Sequence, residues 1–406
     1  MSNNQSTLDI TTLENGFKVL FYKTKNKATN ISVYVKVGEV NSTPESRGVA
    51  HFVEHLILEN SKNYKDSEEI NFAVNKFGGD INAMVDQEET GFFVNILNKH
   101  YKEGIKVLAD CIQNPLFLEA GIEKERKVIL NEAILSDEDF DDLMQRKLLE
   151  KMYTNSPFSI NVIGKKSTIK TISREQILDF YNKHYVPNNM FIVITGDIED
   201  PLPFIKEQFV FKKGILDKQK KPILKKQVSE TIKLSSKLVD STKGLMCYDL
   251  PLVTDKYLTA TSMFYLVLNN FKGGVLLNHL RAKFGIYDSM IFQLRDEDHA
   301  MVMVDFSIRD TDPEVIFTEI NDFLNNLKFS EEEFLDMKNF FKSSIEMLED
   351  SSRTISTILA NYELKGIDPR RHLNIDAEVD KILLSDFNKV KGYFASPAKL
   401  ILEKAN

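Results

Sequence analysis

The sequence predicts an α+β protein built from two similar halves. The chain has 406 residues, of which 42% are hydrophobic and 28% are charged, a composition that allows a globular core. At roughly 150 residues per domain this length favours two or three domains, and a pair of about 200 residues each fits. Segments with the two-residue period of strands alternate with segments of helical period in both halves. The similar strand and helix content of the two halves indicates a duplication, although the sequence shows no residue-level repeat.

The first half begins with two predicted strands, over residues 17–22 and 31–37, in which apolar and polar side chains alternate. A helix is predicted from about Val49 to Leu58. A second helix over Ser67 to Phe77 ends at Gly78-Gly79, because glycine readily adopts the conformation that ends a helix. The other elements predicted before residue 200 are a hairpin of strands 81–85 and 91–97, helices over 101–113, 119–153 with a break near Ser136-Asp137, and 174–185, and a strand over 190–195.

A change of composition near residue 210 predicts the domain boundary. Three prolines, at positions 201, 203 and 222, and a lysine-rich run over 218–221 interrupt the periodic pattern. We expect an N-terminal domain of residues 1–210, a linker of residues 211–225 and a C-terminal domain of residues 226–406. The elements predicted in the C-terminal domain are strands over 232–238, 244–250 and 301–308, and helices over about 258–270, 313–327 and 331–348.

Charge, cysteine content and hydropathy disfavour several classes of protein. A formal net charge of -8 disfavours nucleic acid as the main partner. Cys111 and Cys247 are too few for a disulfide framework or a cysteine-based metal site. The first residues resemble neither a secretory signal nor a transit peptide, and no apolar run approaches the roughly 18 residues that span a membrane. We therefore expect a soluble, cytoplasmic protein without a membrane span.

One short motif indicates metal chemistry. His51 and His55 enclose the run His-Phe-Val-Glu-His in the first predicted helix, and their i,i+4 spacing puts both imidazoles on one face, close enough to share a metal ion. Glu54 lies beside them, where a carboxylate can take a proton from a water that zinc has made more acidic. This is the H-x-x-E-H order of the inverzincins. The alternative is a helix with two histidines by chance, at odds of roughly one in a hundred for such a chain.

A catalytic zinc normally has three protein ligands, so a third donor must come from another segment. Glu132 is the leading candidate. Glu125 and Glu132 are i,i+7 on the helix predicted over 119–153, which puts both carboxylates on one face. Acidic residues on helices are usually solvated, so spacing alone leaves a surface role for Glu132 open.

The motif and its surroundings resemble the pitrilysin (insulinase) family of zinc peptidases, in the short two-domain form of the mitochondrial processing peptidase subunits. Glu132 follows His55 by 77 residues within an Asn-Glu pair. The other segments that carry the likeness are Gly48-Val49-Ala50, Gly78 to Ala83 with Thr90, and Asn188 to Asp197 after Tyr185 and Pro187. The likeness covers most of residues 12–200.

The resemblance implies a fold and a metal centre. Each domain would be an antiparallel sheet packed with helices. His51, His55 and Glu132 would bind one Zn²⁺ per chain, Glu54 would be the general base, and Glu125 would orient the ligands from behind, as outer carboxylates do in metal sites.

The resemblance also assigns residues to the substrate. Asn82 and Ala83 lie on a strand that would add an extended peptide to the sheet edge by backbone hydrogen bonds, although an ordinary strand is the simpler reading. Gly273 to Tyr287 resembles the segment that brings an arginine and a tyrosine to the substrate, and Arg281 and Tyr287 match them. The family usually has seven residues from Arg to Tyr, whereas this chain has six. Without the equivalence, Arg281 is a solvated helix cation and Tyr287 an aromatic at a strand edge.

The implied function is zinc-dependent endoproteolysis of short or unfolded peptides inside a clamshell chamber of two chains, as a homodimer or with a related chain. One alternative is a subunit that is inactive without a different partner. Another is a non-catalytic, peptide-binding scaffold of the same family. The complete set of His51, Glu54, His55 and Glu132 favours a peptidase, because a scaffold needs none of them.

Overall fold

The computed structural model describes residues 7–154, 157–211, 214, 216, 225–226, 231–251, 255–295 and 299–405. Its strands are β1 (Leu8–Thr12), β2 (Lys18–Lys23), β3 (Ala28–Val35), β4 (Asp80–Val85), β5 (Thr90–Leu97), β6 (Tyr153–Thr154), β7 (Met190–Gly196), β8 (Lys225–Lys226), β9 (Ile232–Ser236), β10 (Thr242–Pro251), β11 (Ser289–Arg295), β12 (His299–Ile308) and β13 (Ala398–Lys404). Its α-helices are α1 (Val49–Ile57), α2 (Ser67–Asn75), α3 (Tyr101–Gln113), α4 (Glu119–Glu138), α5 (Phe140–Met152), α6 (Lys166–Ile169), α7 (Arg174–His184), α8 (Leu202–Gln208), α9 (Asp255–Asn269), α10 (Val275–Phe284), α11 (Pro313–Asn326), α12 (Glu331–Leu348), α13 (Ser352–Leu364), α14 (Ile375–Lys381) and α15 (Leu384–Lys391).

The chain forms two compact units that interleave along the sequence. The first consists of Met1–Phe140, Ile160–Pro222 and Leu348–Leu373, and the second of Asp141–Ser159, Ile223–Met347 and Asn374–Asn406. The predicted domains, 1–210 and 226–406, are contiguous, whereas α13 belongs to the first unit and most of α5 to the second. Most of the predicted linker over 211–225 lies outside the described residues.

The first unit is built on a six-stranded sheet with the order β1-β2-β7-β3-β5-β4. β2 and β7 are parallel, and the other neighbours are antiparallel. Helices cover both faces: α1, α3 and α7 contribute to the core on one side, and α13 covers the other. Every residue of β7 is consequently buried, which explains why this central strand is apolar from Met190 to Ile194.

Helix α13 closes the second face of this sheet although it comes from the far end of the chain. The apolar side chains that meet there are Leu8, Leu20, Tyr22, Tyr34, Phe191 and Val193 from the strands and Ile355, Leu359 and Ala360 from the helix. At one end, Glu363 accepts hydrogen bonds from Lys18 at 2.8 Å and from Lys36 at 2.9 Å. The burial of these apolar side chains, together with the charged pairs at the rim, explains why α13 packs in the first unit although its residues lie in the C-terminal half of the sequence.

The second unit repeats the strand order of the first. Its five-stranded sheet has the order β9-β13-β10-β12-β11, which corresponds strand by strand to β2-β7-β3-β5-β4. In both sheets the first pair is parallel and the other three pairs are antiparallel. Two helices follow the third strand of each order, α1 and α2 in one unit and α9 and α10 in the other. This confirms the predicted α+β fold of two similar domains.

Candidate metal centre

The first helix of the site, α1, is buried on most sides. Its apolar side chains belong to the core of the first unit: Val49, Phe52, Val53, Leu56 and Ile57. His51, Glu54 and His55 share the remaining face, because residues three and four apart are neighbours on a helix. Gly48 precedes α1 with a φ of 101°, in the region that only glycine adopts readily. A Cβ there would also lie 2.9 Å from the backbone oxygen of Ile163, so this close packing fixes where α1 begins.

The second helix of the site, α4, packs against α1 and turns two carboxylates towards it. Its buried face contains Ile122, Ile129 and Ala133. Glu125 and Glu132, seven residues apart, lie beside that face. The side chain of Glu125 is buried and that of Glu132 is 38% exposed, so Glu132 lies where the site opens to solvent.

Three potential ligand atoms meet at one point between these helices. The Nε2 atoms of His51 and His55 are 3.1 Å apart. Glu132 Oε2 lies 3.6 Å from His51 Nε2 and 3.5 Å from His55 Nε2. Ligands about 2.0–2.1 Å from a tetrahedral zinc ion lie about 3.3–3.4 Å from one another. The three separations bracket that value, so these residues fit a zinc ion with a fourth position open.

His55 is oriented by a carboxylate behind it. Its Nδ1 donates to Glu125 Oε2 at 2.9 Å, which leaves the Nε2 lone pair directed at the ligand cluster. This hydrogen bond, the largest contribution, holds the pKa of Glu125 below its usual range despite the opposing effect of burial. Glu125 is therefore an anion next to the imidazole.

His51 is held in its neutral form. Burial, followed by the nearby His55, lowers the pKa of His51 to about 3. A neutral imidazole is the form that binds a metal. Its Nδ1 is buried and has no hydrogen-bond partner among the described residues, so the two imidazoles differ in how they are oriented.

Glu54 lies beside the ligand cluster. Its Oε2 is 3.9 Å from His51 Nε2 and 3.8 Å from His55 Nε2, farther than the three ligand atoms are from one another. Burial raises the pKa of Glu54 to about 7; Glu132 and Glu125 also raise it, whereas His55 lowers it. A carboxyl group with such a pKa can both accept and release a proton near neutral pH.

Two further charged residues, neither of which was predicted from the sequence, extend the contacts of Glu125. Lys124 Nζ is 3.6 Å from Glu125 Oε1 and donates to both carboxylate oxygens of Glu59, at 2.8 and 2.7 Å. Glu59 is buried. The only sequence signal was the position of Lys124 directly before Glu125.

The predicted peptide-binding residues lie on β4, the last strand in the order of the first sheet. Within the described residues β4 pairs with β5 alone, and α1 packs against it. Ala83 packs on the core, whereas Asn82 is exposed and its Oδ1 accepts the backbone N–H of Ala83 at 2.9 Å. Among the described strands, none pairs with the other edge of β4, which is the edge that an added strand would use.

Arg281 and Tyr287 belong to the second unit. Arg281 lies on α10, and Tyr287 follows Gly285, which ends this helix with a φ of 68°. The guanidinium lies over the Tyr287 ring, 5.0 Å from its centroid, and Tyr287 is 75% exposed. The two side chains thus form one exposed cation–π pair within their unit.

Two family models match the chain in succession. The model described as Insulinase (Peptidase family M16) matches residues 18–166, which include α1 and α4. The model described as Peptidase M16 inactive domain matches residues 171–341. The chain belongs to the insulinase family of peptidases.

Two relatives and one solved structure are similar to this chain. An uncharacterized zinc protease of Rickettsia felis is 23% identical over 350 residues, which are 85% of each chain. Mitochondrial-processing peptidase subunit beta of Dictyostelium discoideum is 30% identical over 202 residues, 49% of this chain and 43% of that subunit. The crystal structure of a protease from Helicobacter pylori shares the fold, with a TM-score of 0.88, 19% identity and coverage of 98% of this chain and 99% of that one.

The duplicated topology is consistent with the word inactive in the second family model. Helix α9 has the place in the second sheet that α1 has in the first, and its sequence contains neither histidine nor glutamate. The donors found on α1 are therefore missing from its counterpart. Among the helices that the structure describes, none is both long enough and apolar enough to cross a bilayer.

Proposed function

We propose that this insulinase-family protein is a zinc-dependent endopeptidase that cleaves short or unfolded peptides. One observation carries the proposal: the ligand atoms of His51, His55 and Glu132 lie 3.1–3.6 Å from one another, with Glu54 next to them. Relatives named zinc proteases support it. A bound zinc ion supplies Lewis acidity, which polarises a carbonyl group and makes a water molecule more acidic.

In this proposal Glu54 moves the proton. Its carboxylate accepts a proton from the attacking water and later donates it to the amine that leaves. In the metal-free site burial raises the pKa of Glu54, which helps its carboxyl group hold the proton until the amine leaves. Glu125 keeps His55 in one tautomer and orientation.

We further propose that the substrate binds as an additional strand on β4, near Asn82 and Ala83. Backbone pairing accepts many sequences, which suits a peptidase of unfolded chains. Arg281 and Tyr287 would hold the substrate backbone and stabilise the oxyanion that forms when the carbonyl is attacked. Their guanidinium and phenol groups are exposed and donate hydrogen bonds, as this role requires.

The proposed active form is a dimer that encloses a chamber, in the cytoplasm. The low cysteine content, with Cys111 and Cys247 as the two cysteines of the sequence, suits a reducing compartment. A heterodimer with a related chain is the second candidate. It is favoured by the match to a peptidase named as a subunit and by the six-residue spacing between Arg281 and Tyr287.

Zinc content and cleavage, measured on the same preparations, test the proposal. The purified chain should contain about one zinc per chain, cleave a defined peptide mixture and lose that cleavage on chelation. Glu54→Gln should keep the zinc, because it leaves the three ligands intact, but cleave at least about 100-fold more slowly. Glu45→Gln, at an exposed glutamate of the preceding loop, is the control and should behave like the parent.

Each alternative gives a different result in that experiment. A chain that binds zinc yet cleaves only when a related chain is added is a subunit of a heterodimer. A chain that binds no zinc and ignores chelators is a scaffold. Parental cleavage by Glu54→Gln would refute the role of Glu54.

A further inference from the structure

A buried carboxylate at the start of α1 has no part in the chemistry above. Glu39 is fully buried. Its Oε1 accepts hydrogen bonds from the backbone N–H of Gly48 at 2.6 Å and from the Ser42 hydroxyl at 2.5 Å. Burying a carboxylate is costly unless donors compensate for the lost water, so a residue of this kind needs an explanation.

Helix α1 requires an acceptor that its own sequence does not supply. The first N–H groups of any helix lack partners within the helix, and a side chain at the N-cap position usually accepts one of them. Here that position is Gly48, which has no side chain. Glu39, nine residues earlier, brings a carboxylate to this end, where the helix dipole favours negative charge. Arg47 Nη1 donates to the backbone oxygen of Glu39 at 2.6 Å and holds the loop in place.

The backbone of the same residue is tied to the hairpin of β4 and β5. The N–H of Glu39 donates to the backbone oxygen of Asp86 at 3.1 Å, and that of Val40 donates to Gln87 at 2.9 Å. The preceding Gly38 has no room for a Cβ, which would lie 2.3 Å from the Asp86 oxygen. Glu39 therefore joins two parts of the site: the end of the edge strand and the beginning of the helix with both histidines.

We propose that Glu39 is a positioning residue of the metal centre, whose carboxylate fixes the first turn of α1 and so the direction of His51 and His55. The inference rests on the proposed zinc function. Burial raises the pKa of Glu39 to about 7. Either protonation state leaves an oxygen that accepts the Gly48 N–H, so the contact persists across neutral pH.

Zinc affinity, separated from overall stability, tests this role. The zinc dissociation constant is measured by competition with a chromophoric chelator, and the unfolding midpoint is measured on the metal-free protein. Glu39→Ala should weaken zinc binding about tenfold, the size of effect that orienting partners have on metal sites. Glu39→Gln should stay within about threefold of the parent, because its amide oxygen still accepts the Gly48 N–H. Glu45→Ala, in the same loop but exposed, should leave the constant unchanged.

Glu39→Ala with the parental zinc dissociation constant would overturn the inference, even if its unfolding midpoint falls, because the residue would then be merely structural. Should Glu39→Ala fail to fold, Ser42→Ala decides. It removes one donor to the carboxylate and should weaken zinc binding about fivefold, beyond the threefold range set for Glu39→Gln, and a constant within that range overturns the inference. A parent that binds no zinc overturns the proposed function and this inference with it, whereas a zinc-binding parent with unaffected variants overturns this inference alone.

Discussion

Single side chains at the metal centre depend on partners from other parts of the chain. His55 donates to Glu125, Glu125 lies beside Lys124, and Lys124 binds the buried Glu59. Charges of alternating sign thus extend from Glu125, which contacts a candidate ligand, to the segment after α1. Each group limits the movement of the next, and the restraint on His55 reaches beyond the one carboxylate it contacts.

Replacing Lys124 tests this chain of contacts. Lys124→Met leaves the buried Glu59 carboxylate without its cation, so the free energy of unfolding should fall by about 1–3 kcal/mol. The double variant with Glu59→Gln should lose less than the sum of the single variants, because the pair is already broken. Urea unfolding of the metal-free protein measures both. Lys106→Met, which breaks the exposed pair with Glu103, is the control, and an equal loss there would contradict the prediction.

The residues of the site differed in how far the sequence revealed them. The spacing of His51, Glu54 and His55 is local, so a helical period was enough to put them on one face. Glu132 lies on another helix: its spacing from Glu125 made it a candidate, the family resemblance strengthened that prediction, and the structure brings it within 3.6 Å of both imidazoles. Glu39 was not predicted because it lies nine residues before the start of the helix that it caps, and no periodic sequence pattern connects the two positions.

At the scale of elements, α13 buries the second face of the first sheet. Its apolar face meets β2, β3 and β7, the strands at the centre of the sheet. The polar contacts at its N-terminal end are equally specific: Ser352 donates to the backbone oxygen of Ala28 at 2.7 Å, and its own backbone oxygen accepts from Thr195 at 2.6 Å. This combination fixes one register of the helix on the sheet.

Truncating a side chain in this interface should be costly. Leu359 is fully buried between α13 and the strands, so Leu359→Ala should lower the free energy of unfolding by about 2–5 kcal/mol through lost burial and a cavity. Leu135→Ala removes the same atoms at a site on α4 that is 57% exposed, and should change it by less than about 0.5 kcal/mol. Denaturant unfolding compares the two. Equal effects would mean that α13 does not seal the sheet.

Elements with clear end signals were predicted closely. The helix over 101–113 was predicted with the bounds of α3, and α2 ends two residues before the predicted Phe77. The predicted helix over 119–153 is broken as expected, but at Asp139, a few residues later. β1 was not predicted, and α10, β11 and everything after α12 were missed, although Ser351 caps the start of α13 and Gly366 follows its end with a positive φ. The parallel pairs β2/β7 and β9/β13 also escaped prediction, since pairing direction depends on distant segments.

At the scale of the whole molecule, the two similar units do not correspond to two continuous segments of the chain. The two sheets share one strand order, yet each unit takes a segment from the other half of the sequence: Leu348–Leu373 joins the first, and Asp141–Ser159 joins the second. The composition change near residue 210 predicts a contiguous boundary, but it does not indicate which surfaces those exchanged segments cover. We therefore expect the first unit to need both halves of the chain in order to fold.

A fragment of residues 1–210 should consequently fail to fold as a stable unit. It contains the metal-site helices and all six strands of the first sheet, but it lacks α13 and leaves the apolar face around Leu20, Tyr34 and Phe191 in contact with water. We expect no cooperative thermal transition by circular dichroism and strong binding of a hydrophobic dye. A second fragment, in which a Gly/Ser linker joins residues 1–210 to residues 348–373, should regain the transition, because the linker restores the helix without adding other contacts. Cooperative melting of the 1–210 fragment at the midpoint of the linked one would show that the sheet is stable without α13, and that the predicted contiguous boundary describes the folding unit after all.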